Sequence, residues 1–325
     1  MTATHTLPLV AAAVVACFSS AAPAADGGAY PNRPIRMLVG FAPGGGTDTT
    51  ARALTPELTK RLGQQVIVDN RPGAAGNIAT EIITKAPADG YTILMGTIAA
   101  LSINPTLYGN LPFDPLRDLA PVTQAVDSTN ILVVHPTVAA KTVKELIALA
   151  QAKPLNGGSS GIGGAGHLAL ELFNVSAGTK ISHVPYKGGG PAMTELLGGQ
   201  IHLIFATAAS AVPHVQSGKI RALAVTTSKR SKLVPELPTV AEAGLPGFEA
   251  NNWYGIVVPA KTPKPVIDRL HKEFTGVLNM PEVREILFRQ GLDVAATTPQ
   301  AFGAYIKSET AKWAKVIKAS GAKPQ

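Results

Sequence analysis

The chain has 325 residues, long enough for two domains of ordinary size, and 29 Lys and Arg against 21 Asp and Glu give a net charge of +8. Hydrophobic residues make up 46% and aromatics 5%, so the chain can bury a substantial core. Its basic residues are scattered rather than interleaved with aromatics, which argues against nucleic acid and for a surface that mildly attracts anions.

The N-terminus carries the localisation signal. Residues 7–18 form an apolar run too short to span a bilayer, followed by small residues and Ala22-Pro23-Ala24, an A-x-A cleavage pattern. Only the amino terminus and His5 supply positive charge before the run. We read a secretory signal peptide over residues 1–25, cut after Ala24 or Ala25. The single cysteine, Cys17, lies within it, so the mature chain has no disulfide; Val14-Val15-Ala16-Cys17 is the alternative, a lipoprotein processing site. Nothing after residue 30 is long and apolar enough for a transmembrane helix.

Downstream, strand and helix signals alternate. Residues 35–39 read as a buried strand, 48–62 as a helix stopped by Gly63, 65–69 as a second strand, 78–85 as a helix and 91–95 as a third strand. This β-α-β-α-β order predicts a parallel, doubly wound sheet with ligands at the carboxyl ends of its strands. A second unit follows, with strands at 130–134, 181–184, 201–205 and 222–226 and helices at 143–151, 167–175 and 193–197. Residues 252–259 return as a strand. The tail is helical over 265–278, 281–290 and 299–318, each helix entered by proline at a permitted early position.

Three glycine-rich turns each open a helix: FAPGGGTD over 41–48, GGSSGIGGAG over 157–166 and YKGGGP over 186–191. A helix start leaves its first N–H groups unpaired, the helix dipole adds partial positive charge, and glycine lets an anion approach the backbone. The three turns point to a pocket that holds a carboxylate or phosphate mostly with backbone. FAPGGGTD is not a nucleotide loop: it lacks the P-loop lysine, and Gly44, Gly46 and Thr49 leave a non-glycine at the last position of G-x-G-x-x-G. Thr47 and Asp48 suit a helix cap.

Gly157 to Gly161 formally match G-x-S-x-G, which would make Ser159 the nucleophile of an exported hydrolase. In a stretch so rich in glycine and serine the match is weak, and the last histidine, His271, sits with Asp268 on a surface-type helix. His135, His167, His183, His202 and His214 show no metal-ligand spacing. His167 stands out, in the first turn after the second glycine loop. Trp253 and Tyr254 fall where the chain crosses back between domains, where packing is favoured over a cleft role.

The ordered series YPNRPIRMLVGFAPGGGTD, VDNRPGAAGNIA, DGYTILMGT, SSGIGGAGHLALELF, HVPYKGGGPAMTELLGGQI and ELPTVAEAGLPGFEANNWYGIVVPAKTP resembles the Bug (TctC-like) extracytoplasmic solute receptors of tripartite tricarboxylate transport systems. The resemblance covers nearly all of the chain after the leader. It implies an α/β, two-domain periplasmic binding protein fold (type II-like), with doubly wound sheets joined by crossing strands and the ligand in the interdomain cleft. Domain I would comprise residues 27–126 and 252–325, and domain II residues 127–251. The implied ligand is a small organic carboxylate held by backbone amides, hydroxyls and water, without catalysis or cofactor.

Carried over position by position, the implied ligand-binding residues are Phe41, Pro43, Gly44, Gly45, Gly46, Thr47 and Asp48 in the first loop. Ser160, Gly161, Gly163 and His167 belong to the second, and Tyr186, Lys187, Gly188 and Gly189 to the third. Thr97, Ala206, Thr207 and Ala208 end strands facing the same cleft. The implied partners are the large and small permease subunits (TctA/TctB-like), with a sensor kinase as the alternative recipient and no nucleic acid; a periplasmic monomer is expected. The chain departs from the family pattern twice: Gly164 replaces a hydroxyl residue after Gly163, and His202 replaces an acid. The second change is expected to alter local packing rather than the ligand. Specificity should reside in residues 98–100, 206–210 and 251–254, whose small or apolar character leans towards a monocarboxylate or aromatic acid over citrate.

Overall fold

The computed structural model describes residues 1–3, 30–186 and 188–324; the predicted leader beyond its first three residues, with Cys17, and Lys187 lie outside them. In chain order, β1 (Ile35–Val39) leads to α1 (Gly46–Leu62), β2 (Val66–Asn70), α2 (Asn77–Thr84) and β3 (Thr92–Thr97). A π-helical turn, Ala99–Ile103, runs into α3 (Asn104–Tyr108), then α4 (Pro115–Asp118) and the long strand β4 (Leu119–Ser128). The second part runs β5 (Asn130–Val134), α5 (Val143–Ala152), β6 (Asn156–Ser159), α6 (Ala165–Ala177), β7 (Ser182–Pro185), α7 (Gly189–Leu197), β8 (Leu203–Thr207), α8 (Ala208–Gln216) and β9 (Arg221–Val225). The chain closes with β10 (Asn252–Pro259), α9 (Lys264–Leu278), α10 (Pro281–Arg289), β11 (Leu292–Val294) and α11 (Pro299–Ser320).

These strands form two sheets. The first has the order β11-β4-β10-β3-β1-β2 and the second β7-β6-β8-β5-β9. The three strands read as a parallel set are parallel, but each sheet is mixed. Strand β10 runs antiparallel to β3 and β4, and β5 antiparallel to β8 and β9. Strands β10 and β5 adjoin the two crossings between the sheets, and β11 also runs antiparallel to β4. After β4 only Thr129 separates the first sheet from β5 of the second, and Ala250 N–H donates to Thr226 O just before β10 returns.

The period of two in β1 shows why the first sheet is covered on both faces. Ile35, Met37 and Val39 pack with Leu54 and Leu58 of α1 and with Leu270 and Phe274 of α9. Leu38 points the other way, into a cluster with Ile83 of α2 and Phe302 and Trp313 of α11. That cluster continues into Leu168, Phe173 and Phe205 of the second sheet's layer, with α11 lying against α6.

Strand β4 was not expected from sequence. Pro121 and the polar run Thr123-Gln124 mask its strand character. Pro121 is accommodated where the register with β10 shifts, between Ile256 and Val257. Strand β6 stands where the second glycine-rich turn is expected to begin, since Asn156-Gly157-Gly158-Ser159 carries neither alternation nor β-branched residues. Strand β11 and helices α3, α4 and α8 were also missed.

At the crossing, Asp127 lies directly across from Trp253 of β10 and from Asp293 of β11. Burial, then Asp293 and Glu249, push the Asp127 carboxyl up to about 6, against a hydrogen bond from Gln124 Nε2 and with a further push from Glu309. A carboxyl raised above its unfolded value favours the fold below that value and loses the contribution as pH rises through about 6. Asp127→Asn keeps the Gln124 bond without the charge. It should therefore stabilise the protein by ~2–3 kcal/mol at about pH 8, with the gain vanishing near pH 4; denaturant unfolding at the two pH values measures both.

Candidate functional site

The glycine turns lie at the carboxyl ends of β1, β6 and β7 and enter α1, α6 and α7. A further helix start, Thr207 into α8, follows β8. In the first turn Gly44, Gly45 and Gly46 are exposed, as is Pro43, with Phe41 half-buried and Thr47 and Asp48 buried beneath. The cap position of α1 is Gly45, not Thr47 or Asp48. Asp48, the third helical residue, instead reaches back, its Oδ2 accepting from Gly44 N–H at 2.9 Å, one residue beyond the cap N–H that a capping box engages. Asn70 Nδ2 donates to Asp48 Oδ1 at 2.9 Å and to Phe41 O at 3.0 Å, and Arg52 Nε lies 3.0 Å from both carboxylate oxygens. Burial alone would raise the Asp48 carboxyl; the bonds from Arg52, Gly44 and Asn70 outweigh it and hold it low. The Asp48 carboxylate is thus committed to shaping the turn. The backbone bond from Thr49 N–H to Gly45 O is the first of the helix, so Gly46, Thr47 and Asp48 contribute the orphan N–H groups of its first turn.

Tyr254 forms the floor under this turn. It is fully buried, and its hydroxyl interacts with Ser128, Thr47 and Asn252; burial raises its pKa and those hydrogen bonds oppose the rise. A Cβ placed on Gly46 would lie 2.8 Å from that hydroxyl. Thr97 is the register partner of Tyr254, and its buried hydroxyl has no hydrogen-bond partner among the described residues. Trp253, one residue earlier, faces the other side and packs edge-on against Phe302.

The second turn is braced from within. Gly163 N–H donates to His167 Nδ1 at 3.1 Å, and the buried His167 ring stacks on His183 at 3.9 Å. His183 Nε2 lies 2.6 Å from Ser159 Oγ, which in turn bonds Gly161. Accepting at Nδ1 places the proton of neutral His167 on Nε2, 3.6 Å from Glu171. His167 therefore supports the turn with its ring atoms. Ser160 is exposed and Gly161 half-buried. Tyr186 N–H donates to Ser159 O, joining the second turn to the third. Gly188 caps α7 and Gly189 begins it; Lys187 lies outside the described residues. At the end of β8, Ala206 and Ala208 are buried, Ala208 N–H donates to Thr129 O at the crossing, and the Thr207 and Ser210 hydroxyls lie 3.1 Å apart.

Sequence reasoning missed Asn70, Arg52, Asn104 and the Ser159–His183 contact. Asn70 stood in the quoted VDNRPGAAGN string, but nothing in its spacing signals a bond to Asp48. His202, expected to affect packing, accepts at Nδ1 from Asn156 N–H at 2.9 Å, pinning the start of β6. Among the described residues no helix is long and apolar enough to cross a membrane.

Two α/β sheets joined by crossing strands, with helix starts and hydroxyls gathered at their strand ends, define a solute-binding receptor of the periplasmic binding protein class. Residues 50–322 match the model of the tripartite tricarboxylate transporter family receptor, and the chain belongs to that family. It is 38% identical over 297 residues to the Protein BugT of Bordetella pertussis, covering 90% of this chain and 91% of that one. It superposes on R. palustris Rpa4515 with adipate with a TM-score of 0.85 and 36% identity, covering 91% of this chain and 100% of that one. MatC from Rhodopseudomonas palustris with bound malate gives 0.81 and 30%, over 89% and 100% of the two chains.

Two outcomes test the site's scaffold. Asp48→Ala should cost ~2–3 kcal/mol of unfolding free energy, because it removes together the bonds from Gly44, Asn70 and Arg52 to a buried carboxylate, whereas Arg52→Gln, at an exposed partner, should cost less than about 1 kcal/mol. Burial and the neighbouring His167 push His183 down to about 3. An imidazole kept neutral in the fold favours it fully above the unfolded value of about 6.5, and the advantage is lost as pH falls from there towards 3. His183→Gln should therefore flatten the fall in melting temperature over that acid window.

Proposed function

We propose that the chain captures a small organic carboxylate by closing two domains over it, residues 27–126 with 252–325 and residues 127–251. It then presents the closed form to a membrane permease pair of large and small subunits. The observation that carries this reading is the first turn, where Asp48 and Asn70 hold exposed glycines at a helix start above Thr47, Thr97 and Tyr254. Such a cradle offers backbone N–H and hydroxyl donors, already oriented, to an anion. Closure excludes water and strengthens those bonds, and binding shifts an open–closed equilibrium that the permease reads. Adipate and malate on two structural relatives support a carboxylate. The named ligand contacts are the loop and strand-end residues given from the sequence, with Asp48 and His167 acting through the turns they hold. Export by the N-terminal leader places the receptor in the periplasm, as a monomer; a sensor kinase is the alternative recipient of the closed form.

Thermal unfolding with adipate, malate, aromatic acids and a neutral sugar tests this. A carboxylate at about a hundredfold excess over its Kd should stabilise the native state by ~2.7 kcal/mol. A melting temperature raised by the sugar and by none of the acids would overturn the reading.

One contact favours a second reading, a hydrolase: Ser159 Oγ is within hydrogen-bond distance of His183 Nε2. Against it, Ser159 is 3% exposed and its hydroxyl closes the turn on Gly161, while His271 donates to Val122 O in the other sheet. A fluorophosphonate probe should leave Ser159 unlabelled; labelling there would establish an esterase-type nucleophile.

A further inference from the structure

Of the string NRPGAAGN, the first glycine turn draws only on Asn70; the turn that follows it has no part in the cradle. Its central four residues all have positive φ: Gly73 at 138°, Ala74 at 46°, Ala75 at 51° and Gly76 at 94°. Glycine adopts such values without strain, but two consecutive alanines do so only where the surroundings over-determine them. Here they are fixed from three sides. Gly76 N–H donates back to Gly73 O at 3.0 Å. A Cβ on Gly76 would lie 3.6 Å from the Phe41 ring of the first glycine turn and 3.2 Å from Ala100. Asn104, fully buried at the start of α3, donates from Nδ2 to Asn77 Oδ1 at 2.7 Å and to Ala75 O at 3.3 Å.

Those two bonds aim the other end of the Asn104 amide. Its Oδ1 has no hydrogen-bond partner among the described residues, and it points at the opposite half of the molecule. A Cβ on Gly163, in the second glycine turn, would lie 2.7 Å from Asn104 Oδ1, 3.0 Å from Leu107 and 3.8 Å from Ala75 Cβ. Gly163 has φ of 77° and is itself held by His167. Two rigidly supported backbones therefore meet at a point where no side chain fits.

We propose that Gly163, seated on Asn104 and the left-handed turn at residues 73–76, is the contact where the two domains meet on closing, and that Asn104 is the positioning residue that makes closure depend on ligand. This rests on the receptor reading above. Apart, the domains leave Asn104 Oδ1 open to water; together, they bury it facing only a Cα–H of Gly163, a far weaker donor than water. An acceptor buried unpaired opposes closure, so the closed form persists only when hydrogen bonds to a bound ligand outweigh that loss. Because residue 76 touches both Phe41 and Ala100, the seat is joined to the first jaw rather than remote from it.

Cross-linking tests the contact in a Cys17→Ser background, which is otherwise free of cysteine. Asn104→Cys with Gly163→Cys should form a disulfide under mild oxidation, faster in the presence of adipate or malate, whichever the wild type binds. The locked protein should stop exchanging that acid, and reduction should restore exchange. Since Cys at position 163 carries backbone strain, Asn104→Asp gives a second readout. It keeps an acceptor towards Gly163 while losing the Nδ2 donor and adding charge, and should weaken acid binding tenfold or more. Wild-type binding of an acid with neither a cross-link nor weakened binding by Asn104→Asp would overturn the proposal and leave the receptor reading standing. Binding of no acid by the wild type would overturn both.

Discussion

The buried carboxylate of Asp48 is the interaction on which the site depends. A turn of three glycines has no side chains to hold its shape, and its conformational entropy favours a loose ensemble. Asp48 removes that freedom from below by accepting from Gly44 and Asn70 and pairing with Arg52. Asn70, at the end of β2, also bonds the Phe41 carbonyl, so the turn is tied to the neighbouring strand as well as to its own helix. The negative charge that shapes the anion cradle sits behind the glycine backbone, where Arg52 and the amide donors neutralise it.

The second turn solves the same problem without a carboxylate. The chain of Ser159, His183, His167 and Gly163 consists of hydrogen bonds and one ring stack. It works while both imidazoles are neutral: a doubly protonated His167 could not accept from Gly163 N–H. The two turns thus rest on different chemistry, a buried carboxylate in one and a pair of stacked imidazoles in the other. Between the two sheets, a hydrophobic cluster runs continuously from Leu38 through Trp313 to Phe173. The closing motion proposed above would have to slide or repack the α11–α6 contact rather than swing on a bare tether.

Much of the fold was legible because buried parallel strands and amphipathic helices carry strong periodic signals. Strand β1 and strand β5 fall on the predicted bounds, and β10 does as well. What escaped has physical causes. Strand β4 tolerates Pro121 at a bulge and polar residues on the crossing, and β6 is built of Asn, Gly and Ser, so neither shows alternation or β-branched enrichment. The glycine turns were visible as helix starts, and the three are placed at strand carboxyl ends as topology requires. Their supports were not visible. Asn70, Asn104 and His183 act across 22, 27 and 24 residues, and a polar side chain at such separation reads like any surface residue until the fold brings its partner.

The same logic explains why glycine recurs at positions with different duties. At Gly44 it leaves the backbone open, with nothing within 4 Å of where a Cβ would stand; at Gly163 it clears the way for Asn104 and Leu107 of another part of the protein. Both uses replace side-chain recognition with backbone shape, and backbone shape is rigid only when something else supplies the rigidity. At three turns that something is a polar side chain buried behind the turn: Asp48 for the first glycine turn, His167 for the second, Asn104 for the turn at 73–76. A ligand held as proposed would meet a surface of fixed donors whose spacing is set two layers down. Under the receptor reading proposed above, discrimination among acids would then follow from how well their length lets both turns be engaged at once, rather than from any one charged contact.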